Sequence, residues 1–309
     1  MGIGERRANL KRRTLPMPSS ETFEAFVAPA RARPALWRTL AGTLLAAALW
    51  LFAIGATLPF AASAGGFATP VGILLYLASF AALLGGAALA ARLLQGRRAA
   101  TLIGPGGFRP GAFGAGIAVI AAASIPTGIA LALLAPPERQ TGLAAWAAWL
   151  PLALPAVLVQ SAAEEVAFRG FLMQSLAARF RSPWVWWLLP AALFGLLHWN
   201  PAGLGPNAPL GALGPTVVGL ALADVTVRTG NLSAAIGLHF ANNVMAMLVV
   251  AMPSPVSALA LFLSGVDAGD SERLRLLMLA DLAATLLAWA IWRTILARRR
   301  LHSGGPGPN

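Results

Sequence analysis

The sequence predicts an all-α membrane protein, a bundle of about eight transmembrane helices. Of its 309 residues, 58% are hydrophobic and only 11% are charged, whereas about a quarter of the residues in a soluble domain are charged. Long apolar runs recur along the chain, and they lack the period-two alternation of a membrane β-barrel. The chain has no Cys, which excludes thiolate chemistry. Despite the net charge of +12, this composition argues against a soluble enzyme and against nucleic acid as a partner.

The chain begins with a basic tail, residues 1–38, and continues with eight apolar runs. Phe23, Phe26 and Val27 could share one side of a short interfacial helix, or the whole tail could be solvated. About 20 residues span the roughly 30 Å of hydrocarbon in a bilayer. We predict spans near 39–60, 71–93, 111–135, 144–178, 183–200, 210–227, 231–253 and 274–297.

Prolines and glycines predict the breaks between these helices. Pro151 and Pro155 should break or kink the long fourth run, so residues 144–154 could form a separate or re-entrant piece. The Pro- and Gly-rich stretch 200–209 predicts an external turn. Residues 96–110 predict a basic loop on the other side of the membrane.

The placement of arginine predicts the orientation, because basic loops tend to stay in the cytoplasm. With eight spans, only Arg139, Arg273 and Arg275 fall outside, which predicts that both termini are cytoplasmic. Abundant Ala and Arg suggest a bacterial chain, hence the plasma membrane. We divide the chain into a tail (1–38), N-terminal helices (39–143), a catalytic core (144–253), an external loop with the last helix (254–300) and a disordered tail (301–309).

Polar residues inside the predicted spans are the functional evidence, because a charge in a membrane is costly and needs a partner, water or a function. Glu164 and Glu165 are adjacent in the fourth span. Glu165 and Arg169 are four residues apart and can form an ion pair. Glu164 points about 100° away from that pair and could act as a general acid or base. The alternative is an ion pair that only locks two helices together.

Two histidines and an asparagine could complete such a site. His198 precedes Trp199 near a helix end, where it could also be an interfacial anchor. His239 and Asn243 share a helix face, and the alternative for them is hydrogen bonding between helices. At 1.5 Å per residue, Glu164, His198 and His239 lie roughly 16 to 25 Å from the nearest cytoplasmic Arg. A shared, hydrated site at this depth is therefore geometrically possible.

Two other acids in the spans have simpler interpretations. Asp224 and Arg228 are four residues apart, which predicts a local ion pair near the inner end of the sixth span. Asp281, in the eighth span, predicts a hydrogen bond to a neighbouring helix.

Three short motifs in the core resemble the signature motifs of the CPBP family. This family contains the type II CAAX prenyl endopeptidases and the bacteriocin-processing proteins, and it is also called Abi. The matching residues are Glu164-Glu165-x-x-x-Arg169, Phe194-x-x-x-His198 and His239-x-x-x-Asn243. The resemblance covers roughly residues 164–243 and implies an all-helical intramembrane endopeptidase.

The resemblance also implies a role for each residue of these motifs. Glu164 would be the general base, and His198 would help to activate a water molecule. His239 and Asn243 would stabilise the oxyanion, in line with the usual use of donors aimed at developing charge. Glu165 and Arg169 would fix the helix and the electrostatic field around Glu164.

A metal centre is the alternative chemistry for the same residues. Glu164, His198 and His239 are also a suitable ligand set for catalytic zinc. In that case Glu165 would be the remaining base, although Arg169 would already hold it. We therefore expect a mechanism without metal or other cofactor.

The expected partners are the lipid bilayer and a membrane-associated peptide or protein substrate. Prenylated CAAX proteins are not carried over, because a bacterial chain would rarely meet them. The first alternative function is a non-catalytic membrane scaffold or bacteriocin-immunity protein. A proton-coupled transporter ranks third, since the sequence shows no inverted repeat.

Overall fold

The computed structural model describes residues 21–134, 136–252, 254, 257–266 and 269–303. Over these ranges the chain is a bundle of α-helices, which confirms the predicted fold class. The principal helices are α1 (Glu21–Val27), α2 (Leu36–Ser63), α3 (Pro70–Leu93), α4 (Pro110–Leu134), α5 (Leu143–Arg179), α6 (Trp184–Leu196), α7 (Pro201–Thr229), α8 (Ser233–Val249) and α9 (Ser271–Ser303).

Six of these helices, α2 to α5, α7 and α9, are long and apolar enough to cross a membrane. The other two predicted spans correspond to α6 and α8, which are apolar but shorter than the runs 183–200 and 231–253. At 1.5 Å per residue, α6 rises roughly 20 Å, less than the roughly 30 Å of a hydrocarbon core. The chain is therefore a multi-pass membrane protein. Helix α6 by itself is too short to cross the hydrocarbon core.

The long helix α5 is continuous, so the predicted break at its prolines is wrong. Pro151 and Pro155 both lie inside the helix, and residues 144–154 are not a separate piece. Prolines are tolerated in membrane helices where neighbouring groups satisfy the freed backbone positions. The N-terminal end of α5 is held to α8 by Trp146, whose Nε1 donates to the carbonyl of Leu248 at 2.7 Å.

The stretch 200–209 is helical rather than a simple turn. Asn200 caps its first helical turn by accepting a hydrogen bond from the Gly203 amide at 2.9 Å, the usual role of an N-cap residue. Asn207 then donates to the Ser271 carbonyl at 2.8 Å, which joins the start of α7 to the start of α9. These hydrogen bonds explain why a Pro- and Gly-rich sequence is ordered here.

Helix α1 packs into the bundle. Its residues Phe23, Phe26 and Val27 are at most 6% exposed, and the Phe23 ring lies 5.1 Å from that of Trp186. Gly230, the residue after α7, has a φ of +60°. This left-handed conformation favours glycine. This apolar side thus faces protein, whereas the sequence suggested either a membrane interface or a solvated tail.

The basic loop between α3 and α4 is tied to the turn between α7 and α8. The Leu232 amide donates to the Ile103 carbonyl at 2.9 Å. The Asn231 side chain donates to the Gly107 carbonyl, also at 2.9 Å. The predicted loop 96–110 is therefore ordered by backbone contacts on this end of the bundle.

The two remaining membrane acids differ from each other. Asp224 forms the predicted pair with Arg228 at 2.8 Å. It also accepts from Nε1 of Trp289 at 3.0 Å and lies 3.4 Å from Arg293, so it joins α7 to α9. Asp281 is exposed and makes no hydrogen bond or ion pair within the described ranges, so the predicted interhelical contact is wrong.

Three two-residue strands lie outside the helices, where the sequence predicted none. They are β1 (Glu138–Arg139), β2 (Val250–Ala251) and β3 (Phe262–Leu263). β3 pairs antiparallel with β1 and parallel with β2. The sheet connects the ends of α4 and α8 to the segment before α9.

The described residues include only part of each end of the chain. Helix α9 continues to Ser303, so the first residues of the predicted disordered tail 301–309 are helical. Residues 1–20 of the basic tail and residues 304–309 lie outside the described residues.

Candidate active site

The paired glutamates lie on α5 where its hydrogen-bonding pattern changes. The helix is α-helical through Glu165 and π-helical over Val166–Met173, and short π segments are frequent at functional sites. Helices α6 and α8 carry π segments too, at Trp184–Leu188 and Met245–Val249. Glu164 is 8% exposed and Glu165 is fully buried. Both carboxyl groups therefore lie inside the bundle.

Glu165 forms a buried ion pair with Arg169. The Arg169 Nη1 atom lies 2.8 Å from Glu165 Oε1, and the two side chains are 3% and 0% exposed. The Nη2 atom of Arg169 donates to the Gly219 carbonyl of α7 at 3.1 Å. The pair expected from the four-residue spacing is thus present, and it also fixes α5 against α7.

His239 lies between the two glutamates and joins α8 to α5. Its Nδ1 atom is 2.8 Å from Glu165 Oε1, and its Nε2 atom is 3.3 Å from Glu164 Oε2. A carboxylate held by an arginine is an acceptor, so Nδ1 carries the proton in this contact. Glu165 therefore orients the imidazole and presents its second nitrogen to Glu164, as the carboxylate of a catalytic triad orients its histidine.

Asn243 contacts another side chain of α5, Gln160. Its Nδ2 atom donates to Gln160 Oε1 at 2.7 Å and lies 3.4 Å from Ser161 Oγ. Gln160 lies one helical turn before Glu164, and its side chain interacts with that carboxyl group. Asn243 thus reaches Glu164 through Gln160.

His198 lies in a turn two residues beyond the end of α6. Its Nδ1 atom lies 2.9 Å from the Phe194 carbonyl, and its Nε2 atom makes no hydrogen bond to the described residues. The Phe194 ring makes edge contacts with both imidazoles, at 5.0 Å to His198 and 5.9 Å to His239. His198 also interacts electrostatically with Glu164. The two histidines therefore lie on either side of one phenylalanine ring.

The site is closed on two sides and accessible near His198. Val157 and Leu248 belong to an apolar cluster on one side of the glutamates, and Val166 belongs to another. His239 is 3% exposed, whereas His198 is exposed and Asn243 is partly exposed. The arrangement combines a shielded carboxyl group with neighbours at the surface of the bundle, which suits general acid–base chemistry if water reaches that surface.

Sequence reasoning missed two residues of this site, Gln160 and Tyr76. Gln160 is a polar residue four positions before Glu164, so helical spacing could have identified it. Tyr76 is the single tyrosine of the chain. It lies on α3, stacks edge-on against Phe80 at 5.5 Å and interacts electrostatically with Glu164. Nothing in its sequence neighbourhood indicated this position, because Tyr76 stands between Leu75 and Leu77 in an apolar stretch.

A zinc ion at this site would have to replace existing contacts of His239. Both ring nitrogens of His239 are already in contact with glutamate oxygens. Among the described residues, no group of three or more His, Asp or Glu side chains has a spacing that would hold a metal ion.

One family model matches the core of the chain. Residues 146–245 match the family described as "Rce1-like: Type II CAAX prenyl endopeptidase Rce1-like". The matched residues include both glutamates, both site histidines and Asn243, and they fall within the predicted core 144–253. The description of that family is that of an endopeptidase, a hydrolase of peptide bonds.

A curated relative is similar to about a third of the chain. "Uncharacterized protein YyaK" of Bacillus subtilis (strain 168) is 31% identical over 101 residues, which is 33% of this chain and 34% of that protein. The match therefore spans about a third of the length of the relative. No solved structure matches the chain significantly.

Proposed function

We propose that the protein is an intramembrane endopeptidase that uses Glu164 to activate a water molecule and needs no metal. The observation that carries this proposal is the contact of His239 with Glu164 on one side, at 3.3 Å, and with Glu165 on the other, at 2.8 Å. An ion pair that only locks helices would not need an imidazole shared by two carboxyl groups. The Rce1-like match of the same region supports the same chemistry.

In the first step, Glu164 accepts a proton from water. The water oxygen attacks the carbonyl carbon of the scissile peptide bond, and the carbonyl electrons move to oxygen. The Nε2 atom of His198 makes no hydrogen bond to the described residues and can hydrogen bond the attacking water. Proton transfer by a positioned side chain contributes about 10²- to 10⁴-fold to a rate.

The oxyanion needs donors at the moment when Glu164 becomes neutral. While Glu164 is ionised, a doubly protonated His239 donates its Nε2–H to that carboxylate. Protonation of Glu164 removes the negative charge, so this N–H becomes available to the oxyanion. Asn243 supplies a second donor: Gln160 holds one of its amide hydrogens, and the other turns to the oxyanion from its longer contact with Ser161, at 3.4 Å. The intermediate then collapses, the C–N bond breaks, and Glu164 returns the proton to the leaving amine.

Water can reach such a site only through a polar opening in the bilayer region. Backbone that is not helical occurs at membrane depth only where it is buried in protein or lines a water-filled cavity. His198 lies in such backbone, just beyond α6, and it is exposed. We infer that this side of the site is hydrated.

The substrate class is a membrane-associated peptide or protein. The site lies among membrane-crossing helices, so a soluble peptide would have to enter the bilayer region to reach it. We place the protein in the bacterial plasma membrane with both termini in the cytoplasm, because most arginines fall on that side. The family name refers to CAAX prenyl substrates, but no residue of this site argues for a prenyl group.

Comparison of membrane peptides in cells tests the proposal. Cells that produce the wild type should contain peptides with new termini that are absent from cells producing Glu164→Gln. Asp281→Asn is a matched control, because it makes the same carboxylate-to-amide change in a membrane helix away from the site. It should give the wild-type peptide pattern.

The opposite result would favour a scaffold or immunity protein. Identical peptide patterns in the wild type and Glu164→Gln, at equal protein levels, would overturn the protease proposal. Chelators test the metal: cleavage by the purified protein should persist in EDTA and in 1,10-phenanthroline. Loss of cleavage that zinc restores would overturn the metal-free mechanism.

A further inference from the structure

Gln160 is a buried polar residue that neither the motifs nor the mechanism above uses directly. It lies on α5 one helical turn before Glu164 and is 8% exposed. A buried amide requires hydrogen-bond partners on both its oxygen and its nitrogen. Its partners therefore show what it positions.

The oxygen and the nitrogen of Gln160 face different groups of the site. Its Oε1 atom accepts from Asn243 at 2.7 Å and from Ser161 at 3.2 Å. These contacts fix the orientation of the amide, so its NH₂ group is the part left to face Glu164, with which the Gln160 side chain interacts. Gln160 thus accepts a hydrogen bond from the amide of α8 and lies one helical turn from the carboxyl group of α5.

We propose that Gln160 is a positioning residue that holds Glu164 and Asn243 in register with each other. This inference rests on the proposed function, and it assigns a role to a residue outside the three motifs. Gln160 acts on Asn243 by accepting one of its amide hydrogens, which directs the other toward the oxyanion. It acts on Glu164 by donating to the carboxylate, which favours the ionised form that accepts a proton.

A structural role alone would predict a different pattern. A glutamine that only joined α5 to α8 would affect the stability of the bundle and leave turnover per folded molecule unchanged. Gln174 is such a residue on the same helix. It is fully buried and donates to the Thr101 carbonyl at 3.0 Å, away from the site.

The experiment compares Gln160→Met, Gln160→Glu and the control Gln174→Met in liposomes. Methionine keeps the length of the side chain and removes its hydrogen bonds. Glutamate keeps an acceptor for Asn243 but brings a like charge to Glu164. Both Gln160 variants should lower kcat about 10- to 100-fold, since small displacements of reacting groups have effects of this size, with KM within about twofold.

A double variant tests whether Gln160 acts through Asn243. If it does, Gln160→Met should lower kcat much less in an Asn243→Ala background than in the wild type. Gln174→Met should lower the melting temperature and leave kcat unchanged. A kcat of Gln160→Met within about twofold of the wild type, with cleavage still abolished by Glu164→Gln, would overturn this inference and leave the proposed function intact.

A chemical readout is independent of cleavage. Hydrophobic carbodiimides modify protonated carboxyl groups in membranes, and mass spectrometry can follow the label on Glu164, with Glu164→Gln as the blank. Gln160→Met should be labelled several-fold faster than the wild type, because its carboxylate has lost a donor. Equal labelling rates would overturn the positioning role even in a protein without peptidase activity.

Discussion

Two acid–arginine pairs with the same four-residue spacing perform different tasks in this molecule. Glu165 and Arg169 pair at 2.8 Å with side chains 0% and 3% exposed. Asp224 and Arg228 also pair at 2.8 Å, but their side chains are 7% and 17% exposed. The sequence pattern is the same, so the difference lies in the surroundings.

The third partner of each acid determines its task. Glu165 contacts His239, which in turn contacts Glu164, so the buried pair orients an imidazole. Asp224 contacts Arg293 and Trp289, so the other pair joins two helices where solvent can reach it. A polar spacing in a membrane helix therefore predicts a pair, and its neighbours decide whether that pair serves chemistry or packing.

The largest contrast should be in stability after loss of each arginine. Arg169→Gln leaves the fully buried Glu165 without its guanidinium, which should lower the free energy of unfolding by roughly 3–5 kcal/mol. Arg228→Gln should lower it by less than about 1 kcal/mol, because Asp224 keeps two other partners and is nearer to solvent. Thermal unfolding in a single detergent measures both. Equal losses for the two variants would contradict the distinction.

Loss of the third partner should affect activity at Glu165 but not at Asp224. His239→Gln removes the group between the two glutamates and should lower kcat by about 10²- to 10³-fold, the range found when an oxyanion donor is removed. Trp289→Phe removes one hydrogen bond to Asp224, costs about 1 kcal/mol of stability, and should leave kcat unchanged. Assays of cleavage per folded molecule check both. A Trp289→Phe variant as inactive as His239→Gln would show that the region around Asp224 and Arg228 also serves catalysis.

The smallest effect is expected for the most exposed contact of the second region. Arg293 is 40% exposed and lies 3.4 Å from Asp224. Arg293→Gln should therefore change the free energy of unfolding by less than about 1 kcal/mol. The difference from the wild type should vanish near 1 M salt, where screening acts over about 3 Å. A large loss that salt does not change would mean that this contact is effectively buried.

The helical bundle followed from the sequence because membrane burial demands long apolar runs, and these are visible without a structure. The motif residues also came from the sequence, since charges at membrane depth are rare. The continuity of α5 through Pro151 and Pro155 did not follow, because it depends on neighbouring helices that satisfy the backbone. The shortness of α6 was missed for a similar reason: its apolar run continues into Leu197 after the helix has ended.

The contacts inside the site were only partly predictable. The pairing of Glu165 with Arg169 follows from helical spacing alone. The position of His239 between two glutamates depends on how α8 packs against α5, which no local pattern encodes. Gln160 was missed because acids and histidines drew attention first, and Tyr76 because its helix comes from a distant part of the chain.

The central claim is that Glu164 activates water for peptide hydrolysis. The most direct test is cleavage of one substrate, found by the peptide comparison, by purified wild type and by Glu164→Gln with matched melting temperatures. We predict that the wild type cleaves the substrate in the presence of chelator and that Glu164→Gln is at least about 100-fold slower. Cleavage by Glu164→Gln at the rate of the wild type would contradict the account.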